Sequence, residues 1–150
     1  MKGRTLVIVL AGLLSGALLW QGRRWHDHML GSAYLRQVEL VSMSIETSGR
    51  TPPRNILPAH LELLRRAAQL DPAEIGIPLA RGSQFLLFGS PSSAIPAYRE
   101  AEALEPRPEI YLNLGRAYLA AGDAEAARRN FALAVRLDPN LIGQVPPGAL

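Results

Sequence analysis

A spacing of 33 residues between matching glycine, aromatic, alanine and proline positions constrains this chain more than any other feature. The matching pairs are Gly82 and Gly115, Tyr98 and Phe131, Ala101 and Ala134, and Pro106 and Pro139. A further step back of 34 from Pro106 reaches Pro72, at the end of LLRRAAQLDP. A fixed period of this length indicates stacked copies of one supersecondary unit.

Residues 108–140 contain the best-defined copy, which divides before Asp123 into two amphipathic helices. Apolar residues recur at helical spacing over about 109–121 and again over about 124–137. Asp123 is placed to accept a hydrogen bond from the free N–H groups of the second helix. Pro139 ends the unit because proline cannot continue a helix.

The order of residues in this copy resembles the tetratricopeptide repeat, a helix–turn–helix unit. The matching positions are Tyr111, Leu114, Gly115, Tyr118, Ala127, Phe131, Ala134 and Pro139. The resemblance, to a membrane-anchored bacterial type, implies an all-α fold in which an N-terminal transmembrane helix precedes a short α-solenoid of such repeats. The other interpretation is a chance amphipathic hairpin.

Two full repeats are predicted, at about 73–106 and 107–139, preceded by at least the second helix of another. Residues 29–46 are predicted to be helical, and LGSAYL within them echoes LGRAYL of the last repeat. This helix is either a stalk continuous with the N-terminal run, with Gly22 and Gly31 as weak points, or the first helix of a degenerate opening repeat. The predicted divisions are an anchor at 1–24, a stalk helix and loop at 25–58, the repeat domain at 59–140 and a tail at 141–150.

The middle repeat carries two prolines that restrict where its helices begin. Pro78 is tolerated only in a first turn, so the first helix is predicted to begin at 75–77. Pro96 falls in the first turn of the second helix if Ser92 or Ser93 is its N-cap. A start at Ser90 would instead kink that helix, so we expect the later start and a longer loop.

The uncharged run 5–20, TLVIVLAGLLSGALLW, favours membrane insertion. Extended to include Gly3 at one end and residues 21–22 at the other, it spans about 30 Å as a helix, the thickness of the hydrocarbon layer. A signal peptide cleaved at 15–17 competes with an uncleaved anchor, and a buried helix is a third interpretation. The apolar run continues past the cleavage site, which favours the anchor. The flanking charges favour a single-pass protein of a bacterial inner membrane with its C-terminal domain in the periplasm.

The excess of basic residues, 16 against 13 acidic, is confined to the ends of this run. Without Lys2, Arg4, Arg23 and Arg24, 12 basic residues face 13 acidic ones. No basic surface for nucleic acid is therefore predicted.

No catalytic, cofactor or metal site is predicted, so the chain is expected not to be an enzyme. His26, Asp27 and His28 are the only dense group of potential ligands, but residues two apart on a helix point to different faces. His60 is isolated at a helix start and is predicted to be exposed. The absence of cysteine removes thiolate sites and disulfides.

The resemblance implies that the first helix of each repeat lines a groove for a partner's helix or extended peptide. The groove positions are Leu79, Ser83, Leu86, Leu87, Leu112, Asn113, Arg116, Leu119 and Ala120. Asn113 stands where a carboxylate-binding Asn often lies, but its basic companions are missing. The mostly apolar groove favours a hydrophobic partner, unless residues 29–46 of this chain occupy it.

Two functions remain open. The first is a non-enzymatic membrane-tethered scaffold that recruits or organises envelope proteins, and the second is a structural or accessory subunit embedded in a large membrane complex or filament. The prediction that no capping helix follows Asn140 leaves the end around Leu133, Val135 and Leu137 open to a homo- or hetero-oligomer.

Overall fold

The computed structural model describes residues 2–48, 53 and 55–150, including their side chains except those of residues 2–12 and 46. This part of the chain is all-α, with six α-helices followed by a 3₁₀ helix at Pro139–Gln144. The α-helices are α1 (Lys2–Ser48), α2 (Ile56–Leu70), α3 (Gly76–Leu87), α4 (Pro91–Leu104), α5 (Pro108–Ala120) and α6 (Ala124–Leu137). The two helices predicted from 109–121 and 124–137 are thus confirmed to within a residue.

The helices pair in sequence into three units. Helix α1 packs on α2, α3 on α4, and α5 on α6, and each unit joins the next through α2 with α3 and α4 with α5. The first helices also touch one another, α1 with α3 and α3 with α5. The first helices therefore lie side by side in one layer, and the expected all-α helical repeat is confirmed.

Each of the last two units is held by a glycine against an aromatic ring. A Cβ atom added at Gly115 would lie 2.5 Å from the ring of Phe131, and one at Gly82 would lie 2.5 Å from the ring of Tyr98. Both rings are almost fully buried. Only glycine therefore lets α3 reach α4, and α5 reach α6, at the observed separation.

Helix α1 is continuous from Lys2 to Ser48, so neither Gly22 nor Gly31 interrupts it. Within the described part of the chain, no helix combines the length and the apolar character that crossing a membrane requires. For the predicted anchor at 5–22, the structure describes the helical backbone but not the side chains of residues 5–12. The predicted loop after α1 also lies partly outside it, at residues 49–52 and 54.

The start of α3 is as predicted, but the later start expected for α4 is wrong. Helix α4 begins at Pro91 with Ser90 as its N-cap residue, and it contains Pro96. Proline removes the N–H that would bond the carbonyl of residue 92, but Pro96 and Ser92 are both exposed, so water can satisfy that carbonyl. The connection from α3 is correspondingly short.

The C-terminal tail also differs from expectation, because it covers the last unit. Asp138 caps the 3₁₀ helix by accepting a hydrogen bond from the N–H of Asn140 at 3.0 Å. Leu141, Val145 and Ala149 then pack against the buried cluster of α5 and α6. These three apolar side chains thus cover the end of the last unit.

Replacing Gly115 with alanine is expected to destabilise the protein through overpacking. Inserting a methyl group into a filled core typically costs about 1–3 kcal/mol. Gly143→Ala in the 3₁₀ helix is the control, since Gly143 lies next to the same unit but has nothing within 4 Å of an added Cβ. A lower urea unfolding free energy for Gly115→Ala than for this control then reports the contact with Phe131. Equal stabilities for the two variants would contradict this packing.

Candidate partner-binding groove

A groove of about 280 Å³ runs between α1 and α3 in the layer of first helices. Its lining residues are Val38, Glu39, Ser42, Met43, Gly76, Leu79, Ala80, Ser83 and Gln84. The walls are mainly apolar, and Glu39 is the single charged residue of this lining. Two of the residues predicted from the sequence, Leu79 and Ser83, therefore lie in one groove.

Residues 29–46 form one wall of this groove and do not fill it. Val38 of α1 is buried with Leu64 and Ile77, which anchors the wall to α2 and α3. On its far side α1 exposes Met29 and Leu40. Helix α1 thus serves as the first helix of an opening unit.

A buried polar chain connects the three helices around the groove. The Nε2 atom of Gln84 donates to Ser42 Oγ at 2.6 Å, and Gln84 Oε1 lies 2.6 Å from His60 Nδ1. Ser42 Oγ in turn donates to the carbonyl of Val38 at 2.7 Å. Since Gln84 is 2 % and His60 4 % exposed, these bonds fix the side chains in an interior position.

The predicted exposure of His60 is therefore wrong. The helical stripe of α2 includes His60 together with Leu64 and Ala67, and all three are buried. The helical spacing of positions 60, 64 and 67 could have indicated that His60 is buried. This signal was overlooked because histidine is a polar residue. Gln84 and Ser42 carried no comparable signal, because their roles depend on contacts between distant helices.

The remaining predicted groove residues are not gathered in this groove. Leu86 is half-buried against the core of α4 and α5, and Leu87 is half-buried near the end of α3. Leu112 is 3 % exposed and lies inside the last unit, beneath the tail. Side-chain burial of this degree leaves Leu112 no open surface to offer a partner.

The tail also reaches the other predicted positions on α5. Arg116 donates to the Asn113 side chain at 3.2 Å and lies 3.4 Å from both the backbone and side-chain oxygens of Gln144. Leu119 shares a small cavity of about 130 Å³ with tail residues, while Ala120 is exposed. The groove predicted on α5 is thus partly occupied by the chain's own C-terminus.

Among the described residues, most of the shifted pKa values belong to surface ion pairs, while burial raises the pKa of Tyr111. Arg65 and Arg66 hydrogen-bond Glu62 and lower the pKa of its carboxyl to about 2. Arg107 likewise lowers the pKa of Glu105. Charged pairs of this exposed kind are ordinary features of a helical surface.

Comparison with known proteins identifies the last unit. Residues 108–141 match the sequence model of the family described as tetratricopeptide repeat. This segment is similar to a tetratricopeptide repeat. A comparison with curated proteins gave no match.

Two solved structures of tetratricopeptide-repeat proteins are similar in fold. The NMR structure of the first such domain of human RPAP3 has a TM-score of 0.62 at 17% identity, covering 76% of this chain and 82% of that one. The crystal structure of a thermophilic tetratricopeptide-repeat protein from Thermus thermophilus has a TM-score of 0.56 at 24% identity. That match covers 83% of this chain but 62% of the Thermus chain. These likenesses support the tetratricopeptide-like helical repeat across all three units.

The repeat assignment has direct consequences for function. Tetratricopeptide-repeat domains are typically non-enzymatic, and they imply protein partners. The glycine–aromatic contact of the matched repeat recurs in the middle unit as Gly82 against Tyr98. The groove beside α3 is therefore a surface of a tetratricopeptide-like array.

Replacing Gln84 with methionine is expected to destabilise the walls of the groove. The change preserves length but leaves His60 buried without its partner, which costs roughly 1–3 kcal/mol. Gln69→Met on α2 is the matched control, since Gln69 is exposed. Thermal and urea unfolding of both variants measures the difference. A Gln84→Met protein as stable as the control would mean that the polar chain contributes nothing.

Proposed function

We propose that this protein is a membrane-tethered scaffold that binds a protein partner, as a helix or extended peptide, in the groove between α1 and α3. The observation that carries this proposal is the apolar groove between the first helices of adjacent repeat units. Enzymatic activity, nucleic-acid binding and a cofactor are not part of the proposal.

The groove suits a segment of a macromolecular partner, because it runs between two helices and its lining is mainly apolar. Its volume of about 280 Å³ is near the lower end of the range for ligand pockets, about 300–1,000 Å³. It therefore suits one or two apolar anchor side chains of a longer segment. Ser83 lines the groove as well, and its hydroxyl lies 3.2 Å from the hydroxyl of Tyr98.

The tether is supported by the first half of α1. Its described residues 13–20 include five large apolar side chains that are 60 to 77% exposed, Leu13, Leu14, Leu18, Leu19 and Trp20. Arg24 lies 4.9 Å over the Trp20 ring, an arrangement suited to an interface between lipid and water. Exposed apolar surface of this kind marks a binding face.

The proposed organisation follows the divisions expected from the sequence. Residues 1–24 would anchor the chain, 25–58 would form the stalk and opening unit, 59–140 the repeat domain and 141–150 the tail. With the N-terminus in the cytoplasm of a bacterium, the repeat domain would lie in the periplasm at the inner membrane. Envelope proteins are then the accessible partners.

A second candidate, a subunit built permanently into a larger membrane complex or filament, is favoured by a separate observation. Leu137, Ile142 and Leu150 are each about half exposed at the C-terminal end of the array, at 51, 53 and 49%. Native sizing after mild detergent extraction separates the candidates. A single fixed assembly supports the subunit, whereas a detergent-bound monomer supports the scaffold.

A charge placed in the groove is expected to weaken partner binding. A photo-crosslinking residue at position 83 in cells identifies the partner, and the same residue at position 92 on α4 is the control. Ser83→Glu should then weaken binding of the purified partner by roughly tenfold or more, because the carboxylate would be buried unpaired. Ser92→Glu should leave binding unchanged, since Ser92 is exposed outside the groove lining. Equal crosslinking from both positions would refute the groove as the binding site.

Arginines in the apolar half of α1 are expected to release the protein from membranes. Leu14→Arg with Leu18→Arg places two charges in the proposed span, each costing about 2.5–3.5 kcal/mol near its centre. Leu40→Arg with Met43→Arg is the matched control, because these residues are equally exposed but lie beside the repeat units. Fractionation after a carbonate wash measures the membrane-bound share. Retention of the first variant at the wild-type level would exclude this tether.

A further inference from the structure

Three side chains of metal-ligating type meet beside the turn between α2 and α3, away from the groove. His28 comes from α1, Asp71 from the end of α2 and Glu74 from the turn itself. One ligand atom from each lies within 4.8 Å of the other two. The Nδ1 atom of His28 is 2.6 Å from Asp71 Oδ2.

The backbone brings these side chains together. A Cβ added at Gly31 would lie 3.5 Å from the carbonyl oxygen of Ala67 and 3.8 Å from Asp71 Cβ, so α1 runs close to the end of α2. His28 lies one helical turn before Gly31 and therefore faces the same turn. Glu74 is held by a hydrogen bond from the N–H of Gly76 to its Oε1 at 3.0 Å.

We propose that His28, Asp71 and Glu74 bind a divalent transition-metal ion such as Zn²⁺. In tetrahedral coordination at about 2.0–2.2 Å, ligand atoms lie roughly 3.3–3.5 Å apart. To reach this spacing, the distance of 2.6 Å between His28 Nδ1 and Asp71 Oδ2 must increase slightly. The longest distance between ligand atoms, which is within 4.8 Å, must decrease. Both movements are available, because the His28 side chain is 53% exposed and the Asp71 side chain 24%.

The donor set and its charge favour this class of ion. An imidazole nitrogen with two carboxylates suits zinc and its neighbours, whereas magnesium and calcium prefer oxygen alone. Asp27 lines the same depression as His28 and Asp71 and adds a third carboxylate nearby. Arg24 also lines it, but its guanidinium stacks over Trp20. A water molecule would complete the shell.

The sequence alone could not reveal this site. His26 and His28 attract attention as neighbours, but His26 pairs weakly with Asp27 at 3.5 Å and is not in the cluster. The partners of His28 lie 43 and 46 positions further along the chain. Binding of an ion there joins α1 to the connection that leads into α3.

Calorimetric titration of ZnCl₂ into the full-length protein in detergent micelles tests this site, with MgCl₂ as the comparison ion. Wild type is expected to bind one Zn²⁺ per chain with micromolar affinity, and its melting temperature should rise with zinc. His28→Gln should weaken binding by at least about tenfold, the loss that follows even from removing a ligand's outer-shell partner. Glu74→Gln should act in the same direction.

His26→Gln is the matched control, a substitution of the same type two residues away on the same helix. It should bind Zn²⁺ as wild type does, and circular dichroism should show that all variants keep their helices. The proposal is overturned if wild type binds zinc only at millimolar concentrations. It is also overturned if His26→Gln and His28→Gln weaken binding equally, which would indicate adventitious capture by exposed imidazoles.

Discussion

The contact of one glycine with one aromatic ring sets the geometry on which the array depends. Phe131 lies against Gly115, and Tyr98 against Gly82, in space that any Cβ would occupy. Because interiors are close-packed, this contact fixes how near the two helices of a unit approach. The position of each first helix, and thus the surface it shows to a partner, follows from that separation. The buried glycine and aromatic residues therefore determine the position of the partner-facing surface, although they do not lie on it.

The opening unit reaches a similar arrangement by different means. Among its described residues no ring lies against a glycine; instead, Gly31 lets α1 lie close to the end of α2. Buried Val38 and Leu64 supply its apolar contact, and the polar chain through Gln84 joins it to α3. Polar contacts of this kind fix orientation more than they add stability. One wall of the groove thus depends on hydrogen bonds between helices, and these bonds cannot be predicted from the repeat pattern alone.

How much the sequence predicts depends on whether the determining contacts are local. The ends of α5 and α6, and the N-cap Asp123, depend on residues within one or two turns, and they were predicted correctly. The start of α4 was not, because the cost of Pro96 depends on whether its surroundings are solvent. His60 was misplaced because its partner is 24 residues away. Of the positions predicted to bind a partner, Leu79 and Ser83 line the groove beside α3, whereas Arg116 and Leu119 of α5 lie against the tail.

The tail changes which parts of the molecule remain free for partners. A repeat array exposes an apolar face at each end unless a cap covers it. Here Leu141 and Val145 cover the buried cluster around Phe131, so the C-terminal face is reduced to its rim. The N-terminal part has no such cover in the described chain, and α1 exposes Met29, Leu40 and Met43 there. A partner that enters the groove between α1 and α3 therefore meets no covering segment in the described chain, whereas one that docks on the C-terminal end must first displace the tail.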